Sequence, residues 1–330
     1  MGCDNSGRPS SEGAGNRARA PEPGHCSLDR GRSPTGAGWN VPPDDYSGGM
    51  SSPVSPNGFR TALVLGGGGA VGILWMTGLA VGLRELGIDL SRADRFVGTS
   101  AGAVVAANLA NEVDLVALVA ALPTADPAAP PVDGSGLQQI IATVMAEGSS
   151  LTESRRRIGE LALERNVGDP AEHVARMSRQ LGSIGWPERD LVITSTDITT
   201  GGLQTWFPDG KASLGEAVAA STAVPGIFPP IPIDGRYYID GGMISPINAG
   251  LAAGAELIVV LEPLAGMFPH APSDSELGEA TVIFVAPDDE ARAIIGPDVF
   301  DRAALRPAYD AGWRQAVQVA PQLREIWPVA

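Results

Sequence analysis

The sequence has 330 residues, and 44% of them are hydrophobic, which is enough for one large domain or two ordinary ones with a substantial core. Its formal net charge is −15 and its one lysine is Lys211. Such a balance excludes a basic surface for nucleic acid and disfavours strong docking on anionic lipid. No apolar run reaches the ~20 residues of a membrane-spanning helix. We therefore expect a cytoplasmic protein without a nucleic-acid partner, and any membrane contact to be peripheral.

Cysteine and histidine are too sparse to form a recognisable metal or disulfide site. Cys3 and Cys26 both lie near the N-terminus, so the remainder of the chain has no cysteine chemistry. The histidines, His25, His173 and His270, do not cluster in the sequence. We expect neither a metal nor another cofactor.

The chain divides by composition into a tail and one domain. Residues 1–58 are rich in Gly, Pro, Ser and Arg, and such a segment buries too little apolar surface to offset its ordering entropy. We predict a disordered tail there and a folded domain over residues 59–330. Within the domain, residues 111–185 have helical patterning but no chemical motif. We interpret them as a helical insertion that forms a cap over the site, whose apolar residues would make any membrane contact.

Apolar runs and helical periodicities alternate along the domain. In chain order we predict strands at 61–65, 96–97, 190–196, 202–207, 236–239, 257–261 and 281–285. The predicted helices cover 73–86, 103–109, 137–147, 151–164, 171–181, 214–220 and 303–319. Strands that alternate with helices predict an α/β fold with a largely parallel sheet covered on both faces.

The most informative stretch is Gly98-Thr-Ser-Ala-Gly102, which follows the strand at 96–97 and precedes a helix. A strand, Gly-x-Ser-x-Gly and a helix are the parts of a nucleophile elbow, in which a sharp turn exposes the serine hydroxyl. The flanking glycines suit this turn because a Cβ there would collide with neighbouring backbone. The pattern predicts Ser100 as a nucleophile, with an ordinary tight turn as the alternative in a chain that has 42 glycines.

The glycine run 66–72 between a strand and a helix has three interpretations. Backbone N–H groups of Gly67, Gly68 and Gly69 would form an oxyanion hole at the start of the helix. Alternatively, the spacing satisfies the Gly-x-Gly-x-x-Gly of nucleotide-binding proteins, although the next strand lacks the acidic residue expected at its end. A tight turn that simply needs glycine is the third interpretation.

A serine nucleophile needs a base, and the sequence offers two. Asp240-Gly241-Gly242 follows a strand, although Asp-Gly by itself most often marks a hairpin turn. His270 lies in a Pro-flanked loop and follows Ser100 and an acid, the Ser–Asp–His order of α/β-hydrolases. An esterase using Ser100 with His270 therefore stays open as an alternative.

Four separated motifs together resemble the patatin-like phospholipases, in particular bacterial patatin-type serine lipid acyl hydrolases. The matching stretches are Gly67-Gly-Gly-Ala-Val-Gly72, Gly98-Thr-Ser-Ala-Gly102, Ser221-Thr-Ala-Val-Pro-Gly-Ile-Phe228 and Asp240-Gly-Gly242. They occur in the family's order over about residues 61–262. The family's glycine loop often carries an arginine where this chain has Val71, so the resemblance does not extend to a cation that recognises phosphate at that position.

The resemblance implies a three-layer α/β fold and a Ser–Asp dyad that works without histidine. Ser100 would be the nucleophile, Asp240 the base, and Gly67, Gly68 and Gly69 the oxyanion hole of a serine lipid acyl hydrolase that cleaves carboxylic esters. The substrate would be a phospholipid, a glycerolipid or a simpler ester. The side chains that we predict to line an acyl pocket, or else to belong to the ordinary core, are Trp206, Phe207, Ile227 and Phe228.

Overall fold

A computed structural model describes residues 59–121, 134–147, 149–182 and 185–328. The predicted disordered tail, residues 1–58, lies outside the described residues. The division of the chain into this tail and one domain therefore stays a prediction.

The described residues form eight strands and nine α-helices in alternating runs. The strands are β1 (Thr61–Leu65), β2 (Arg95–Thr99), β3 (Asp190–Asp197), β4 (Leu203–Trp206), β5 (Ile231–Ile233), β6 (Arg236–Asp240), β7 (Leu257–Leu261) and β8 (Thr281–Val285). The helices are α1 (Gly69–Glu85), α2 (Ala101–Ala110), α3 (Leu115–Ala120), α4 (Ser135–Glu147), α5 (Leu151–Arg165), α6 (Pro170–Gln180), α7 (Leu214–Ser221), α8 (Asp289–Ile295) and α9 (Leu305–Leu323).

All eight strands belong to one sheet in the order β5-β6-β3-β2-β1-β7-β8, with β4 also paired to β3. The five strands from β3 to β8 along this order run parallel, whereas β4 and β6 pair antiparallel with β3, and β5 pairs antiparallel with β6. The predicted α/β fold with a mostly parallel central sheet is confirmed.

Side chains of each strand alternate between two cores, one on each face of the sheet. On one face, Leu63 packs in a large cluster with Trp75 of α1 and with side chains of α2, α7 and α9. On the other face, Val64 packs with Ile247 and with the short 3₁₀ segment Ala249–Ala252. The sheet is therefore the middle of three layers, as predicted.

The predicted insertion is packed onto this framework by its own apolar side chains. Ile140 of α4 and Ile158 of α5 lie in one cluster with Ile239 of β6, beside the end of that strand. On the opposite face, Met177 of α6 joins the large core. The helices from α4 to α6 thus contact both faces of the sheet near β6, and their role as a cap over the site stays a prediction.

Candidate active site

The turn from β2 into α2 holds Ser100 in a conformation that side-chain-bearing residues rarely adopt. Its φ is 53° and its ψ is −119°, a combination that carries backbone strain of order 1–3 kcal/mol. The two glycines allow this turn, because a Cβ on Gly98 would lie 2.6 Å from Cα of Ala103 and one on Gly102 only 1.9 Å from the carbonyl oxygen of Leu65. The strand, turn and helix therefore have the geometry of a nucleophile elbow.

The sheet register brings Asp240 to the level of Ser100. On β3, Thr194 pairs with Thr99 of β2, and the next residue, Ser195, pairs with Asp240 of β6. Asp240 ends β6 at the point where Ser100 leaves β2, with β3 between the two strands. β6 starts beyond the carboxyl end of β3 and runs back antiparallel to it, and it ends at Asp240, level with the carboxyl end of β2.

Ser100 and Asp240 form a direct hydrogen bond. Oγ of Ser100 donates to Oδ2 of Asp240 at 2.6 Å, and the N–H of Gly242 donates to Oδ1 at 2.7 Å. Ser100 is 8% exposed and Asp240 is 3% exposed. Burial raises the pKa of Asp240 to about 6, and the hydrogen bonds from Ser100 and Gly242 oppose this rise. The carboxylate is therefore more basic than an ordinary aspartate and already aligned with the hydroxyl proton.

Residues 221–223, at the end of α7, hold both members of the pair. The N–H of Ser100 donates to Oγ of Ser221 at 2.8 Å. Two residues later, the carbonyl oxygen of Ala223 accepts the N–H of Asp240 at 3.0 Å. We did not predict this role for Ser221; the resemblance of residues 221–228 to a family motif was the signal that pointed to the segment.

Asn248 joins the ends of the two strands that carry the pair. It is 4% exposed, and its Nδ2 lies 3.0 Å from Oγ1 of Thr99 and 3.3 Å from the carbonyl oxygen of Gly241. One amide thereby links the residue before Ser100 to the residue after Asp240. No motif marked Asn248, because its role depends on three segments that meet only in the folded chain.

The glycine loop lies beside Ser100, and a Cβ on Gly67 would be 3.7 Å from Cβ of that residue. Of the three predicted oxyanion donors, Gly67 already donates its N–H to the carbonyl oxygen of Pro246 at 2.8 Å. Among the described residues, the N–H groups of Gly68 and Gly69 have no such acceptor. Gly68 is the N-cap of α1 and Gly69 is its first residue, positions at which backbone donors have no partner within the helix.

Protein side chains occupy the space next to this loop. A Cβ on Gly68 would lie 2.7 Å from Cβ of Pro263, and one on Gly69 would lie 2.6 Å from the side chain of Val299. These close approaches account for the glycines without a nucleotide. Val71, at the family's frequent arginine position, is fully buried in the large core, so it presents no polar group to a substrate.

His270 is engaged elsewhere in the structure. Its Nε2 lies 2.6 Å from Oε1 of Glu262, which follows β7 and is 5% exposed. The hydrogen bond to Glu262 raises the pKa of His270. Because the hydroxyl of Ser100 pairs with Asp240 and the imidazole with Glu262, the described contacts do not assemble a Ser100–His270 pair.

The structure does not bring the four predicted pocket residues together. Trp206 is buried in the large core, donates to Oγ of Ser195 and packs edge-on against Tyr238. Phe207 packs on the other face of the sheet. Adjacent strand residues point to opposite faces, so their neighbouring positions already argued against one shared pocket. Ile227 and Phe228 are partly exposed in the turn after α7.

The described residues contain no group of three or more His, Cys, Asp or Glu side chains placed to hold a metal ion. None of their helices combines the length and the apolarity needed to cross a bilayer.

Comparison with known proteins identifies the family of the chain. The sequence model of the family described as patatin-like phospholipase matches residues 63–253, which include both Ser100 and Asp240. The chain therefore belongs to the patatin-like phospholipase family.

Among curated proteins, two uncharacterized NTE family proteins, from Mycobacterium tuberculosis and Mycobacterium bovis, are each 31% identical to this chain over 208 residues. The match covers 62% of this chain and 47% of each relative, so the chain spans about half the length of the relatives it matches.

Among solved structures, VipD from Legionella pneumophila aligns with a TM-score of 0.45 at 17% identity, over 80% of this chain and 67% of VipD. The type III effector ExoU, of Pseudomonas aeruginosa, aligns with a TM-score of 0.36 at 21% identity, over 82% of this chain and 54% of ExoU.

Proposed function

We propose that this protein is a serine lipid acyl hydrolase that cleaves carboxylic ester bonds through Ser100 and Asp240. The observation that carries the proposal is the 2.6 Å hydrogen bond from the hydroxyl of Ser100, whose main chain is strained, to the buried carboxylate of Asp240. A nucleophile and its base within hydrogen-bond reach are the geometric requirement for covalent catalysis. Membership of the patatin-like phospholipase family supports a lipid ester as the substrate.

In the first half of the reaction, Asp240 takes the proton of Ser100 as Oγ attacks the ester carbonyl carbon. The carbonyl π electrons move to oxygen, and the N–H groups of Gly68 and Gly69 donate to the resulting oxyanion. We leave Gly67 out of this role because its N–H is bonded to Pro246. The tetrahedral intermediate then collapses, the bond to the alcohol oxygen breaks, and Asp240 returns the proton to the departing alcohol.

In the second half, water replaces the alcohol. Asp240, again ionised, accepts a proton from the water as its oxygen attacks the acyl-enzyme carbonyl. Collapse of this second tetrahedral intermediate breaks the bond to Oγ of Ser100, which recovers the proton from Asp240. The products of this half are a fatty acid and the regenerated enzyme. One base serves both halves because Asp240 lies beside Oγ of Ser100, where the carbonyl carbon is attacked each time.

The proposed substrates are phospholipids, glycerolipids or simpler esters. We propose that acyl chains contact Ile227 and Phe228, and we leave out Trp206 and Phe207 because they pack in two separate clusters on opposite faces of the sheet. We also propose that the protein is cytoplasmic and that it meets a lipid surface only peripherally, since its charge of −15 opposes docking on anionic lipid.

The test compares hydrolysis of short-chain and long-chain p-nitrophenyl esters by wild type, Ser100→Ala, Asp240→Asn and His270→Gln. Loss of at least 10³-fold in kcat is expected for the first two variants, since they remove the nucleophile or its base. His270→Gln is expected to stay within threefold of wild type. Circular dichroism and thermal unfolding of all four proteins exclude misfolding as the cause.

Two outcomes would contradict the proposal. An equal loss in His270→Gln, with folding intact, would favour the alternative esterase that uses Ser100 with His270. Absence of activity in wild type on every ester, together with a thermal shift caused by NAD(H), would favour the nucleotide-binding alternative.

A further inference from the structure

Helix α6 presents an arginine that is held in place without a carboxylate partner. The guanidinium of Arg176 lies over the ring of Phe228, 4.6 Å from its centroid, and one of its nitrogens contacts Nδ1 of His173. Among the described residues, no carboxylate oxygen lies within ion-pair distance of this guanidinium. On the same helix, Arg179 and Glu172 act on it only as more distant charges of opposite sign. A stacked cation that lacks a nearby carboxylate is available to an external anion.

The hydrogen bonds of His173 show how the arginine is oriented. Oγ1 of Thr222 donates to the carbonyl oxygen of Val218 at 2.9 Å, so it acts as the acceptor toward Nε2 of His173, 3.0 Å away. Nε2 therefore carries the proton, and Nδ1 is left as an acceptor for Arg176. His173 is 2% exposed, and burial together with the nearby Arg176 lowers its pKa to about 3. It stays neutral at physiological pH and serves as a fixed acceptor for the guanidinium.

Two chains of contacts connect Arg176 to the candidate active site. Thr222, which binds His173, directly follows Ser221, the acceptor for the N–H of Ser100. The ring of Phe228 also packs edge-on against that of Phe300, with centroids 5.9 Å apart.

Phe300 in turn follows Val299, whose side chain abuts Gly69 and whose carbonyl oxygen accepts the N–H of Val71. An aromatic wall, formed by Phe228 and Phe300, thus extends from the oxyanion loop to the arginine. Phe228 and Phe300 are both partly exposed.

We propose that Arg176 binds an anionic group, a phosphate or a carboxylate, on the same ester substrate that Ser100 attacks, while the aromatic wall contacts the part of the molecule between them. This inference rests on the proposed function and specifies its substrate class as esters that carry an oxyanion. The cation lies on α6, in the predicted insertion. The glycine loop supplies none, since its residue 71 is a buried valine. The planar guanidinium suits either anion by bidentate hydrogen bonding.

The experiment measures release of hexanoate from three soluble esters that differ in one group. Dihexanoylglycerol is neutral, dihexanoylphosphatidylglycerol carries a phosphodiester, and dihexanoylglycerol 3-succinate carries a carboxylate. Wild type is compared with Arg176→Gln and Arg176→Lys, and with Arg179→Gln as the matched control. Arg179 lies on the same exposed stretch of α6 and influences Arg176 only as a nearby charge, without any of the contacts described above, so it controls for the loss of one positive charge from the helix.

Arg176→Gln is expected to raise KM for at least one anionic ester roughly tenfold or more, the loss typical of a hydrogen bond to a charged group. The change on the neutral ester is expected to stay below threefold, and Arg176→Lys to lie between wild type and glutamine. The ester that is more affected identifies the anion. Arg179→Gln removes only a more distant charge, so its KM is expected to stay within about threefold of wild type on all three substrates.

Equal losses on the neutral and anionic esters would overturn the inference, since they indicate a packing role for Arg176, and so would no loss on either anionic ester. If wild type cleaves none of the esters, the proposed function fails separately. Binding of dihexanoylphosphatidylglycerol and the succinate by Ser100→Ala protein, measured calorimetrically with and without Arg176→Gln, then decides the inference. Equal binding by the two proteins would reject the inference.

Discussion

Ser100 and Ser221 are joined by a hydrogen bond in which the main-chain N–H of Ser100, the proposed nucleophile, donates to Oγ of Ser221 at 2.8 Å. Both residues are buried. Because Ser100 has a positive φ, this side chain supports the main chain at the one point where it is strained. The position of the nucleophile therefore depends on α7, whose last residue supplies the acceptor.

Replacing Ser221 by alanine is expected to lower the free energy of unfolding by about 1–3 kcal/mol, because it leaves the buried N–H of Ser100 without an acceptor. Activity on p-nitrophenyl esters is expected to fall mainly through kcat, since the nucleophile is less well held. Urea unfolding and steady-state kinetics measure the two effects. Ser275→Ala, which removes an exposed hydroxyl, is the control, and an equal effect there would contradict a specific role for Ser221.

The pKa of Asp240 predicts how activity depends on pH. Burial raises this pKa to about 6, and only the ionised carboxylate can accept the proton of Ser100. We expect kcat/KM to fall about tenfold per pH unit below pH 6 and to level off above about pH 7. Hydrolysis of a short p-nitrophenyl ester between pH 4.5 and 8.5 tests this. A profile flat through pH 6, or one whose inflection disappears in His270→Gln, would exclude Asp240 as the base.

The same carboxylate is expected to lower stability when it is charged. Its folded-state pKa lies above the ordinary 3.8, so the stability that it contributes is complete below about pH 3.8 and is lost as pH rises through about 6. Asparagine does not ionise, so Asp240→Asn does not lose stability in this way, and its amide oxygen still accepts the N–H of Gly242. We therefore expect Asp240→Asn to unfold at a higher Tm than wild type at pH 8, and the difference to shrink at pH 4. A difference independent of pH would contradict this reasoning.

The strain at Ser100 is measurable by comparing two inactive variants. Ser100→Ala and Ser100→Gly both remove the hydroxyl, but only glycine adopts a φ of 53° without penalty. Glycine also costs about 0.5–1 kcal/mol through the entropy of the unfolded chain. We expect Ser100→Gly to be more stable than Ser100→Ala by roughly 1 kcal/mol, the part of the strain that remains. Denaturant unfolding measures the free energies of unfolding of both variants. A lower value for Ser100→Gly than for Ser100→Ala would show the turn to be unstrained.

His270 and Glu262 form a pair that is expected to affect stability without affecting catalysis. The folded-state pKa of His270 is raised above 6.5 by its hydrogen bond to Glu262. The stability that His270 contributes is therefore complete below pH 6.5 and is lost as pH rises through its higher folded-state pKa. We expect His270→Gln to lower Tm more at pH 6 than at pH 9. A loss of the same size at both values would assign it to packing instead.

Several elements were predictable because their signal is local. The continuous apolar run at 257–261 coincides with β7, and buried strands of a parallel sheet have this pattern. The run at 281–285 coincides with β8, an edge strand, whose β-branched and aromatic residues favour a strand although most of them are partly exposed. Helices α3 and α8, with six and seven residues, were missed because so few turns show little periodicity. Strand β5 was missed because Pro232 lies inside it; as the edge strand of the sheet it tolerates a proline.

The sequence by itself determined the family, the fold class and the order of the chemical motifs, because these depend on residue types at fixed local spacing. The tertiary structure alone decided which groups meet. Ser100 and Asp240 are 140 residues apart and pair because the register of β6 on β3 places Asp240 level with the end of β2. Likewise, the N–H of Gly67 is bonded to the carbonyl oxygen of Pro246, which is why we leave it out of the proposed oxyanion donors. Contacts of this kind depend on strand register and on the packing of distant segments, which local sequence patterns do not encode.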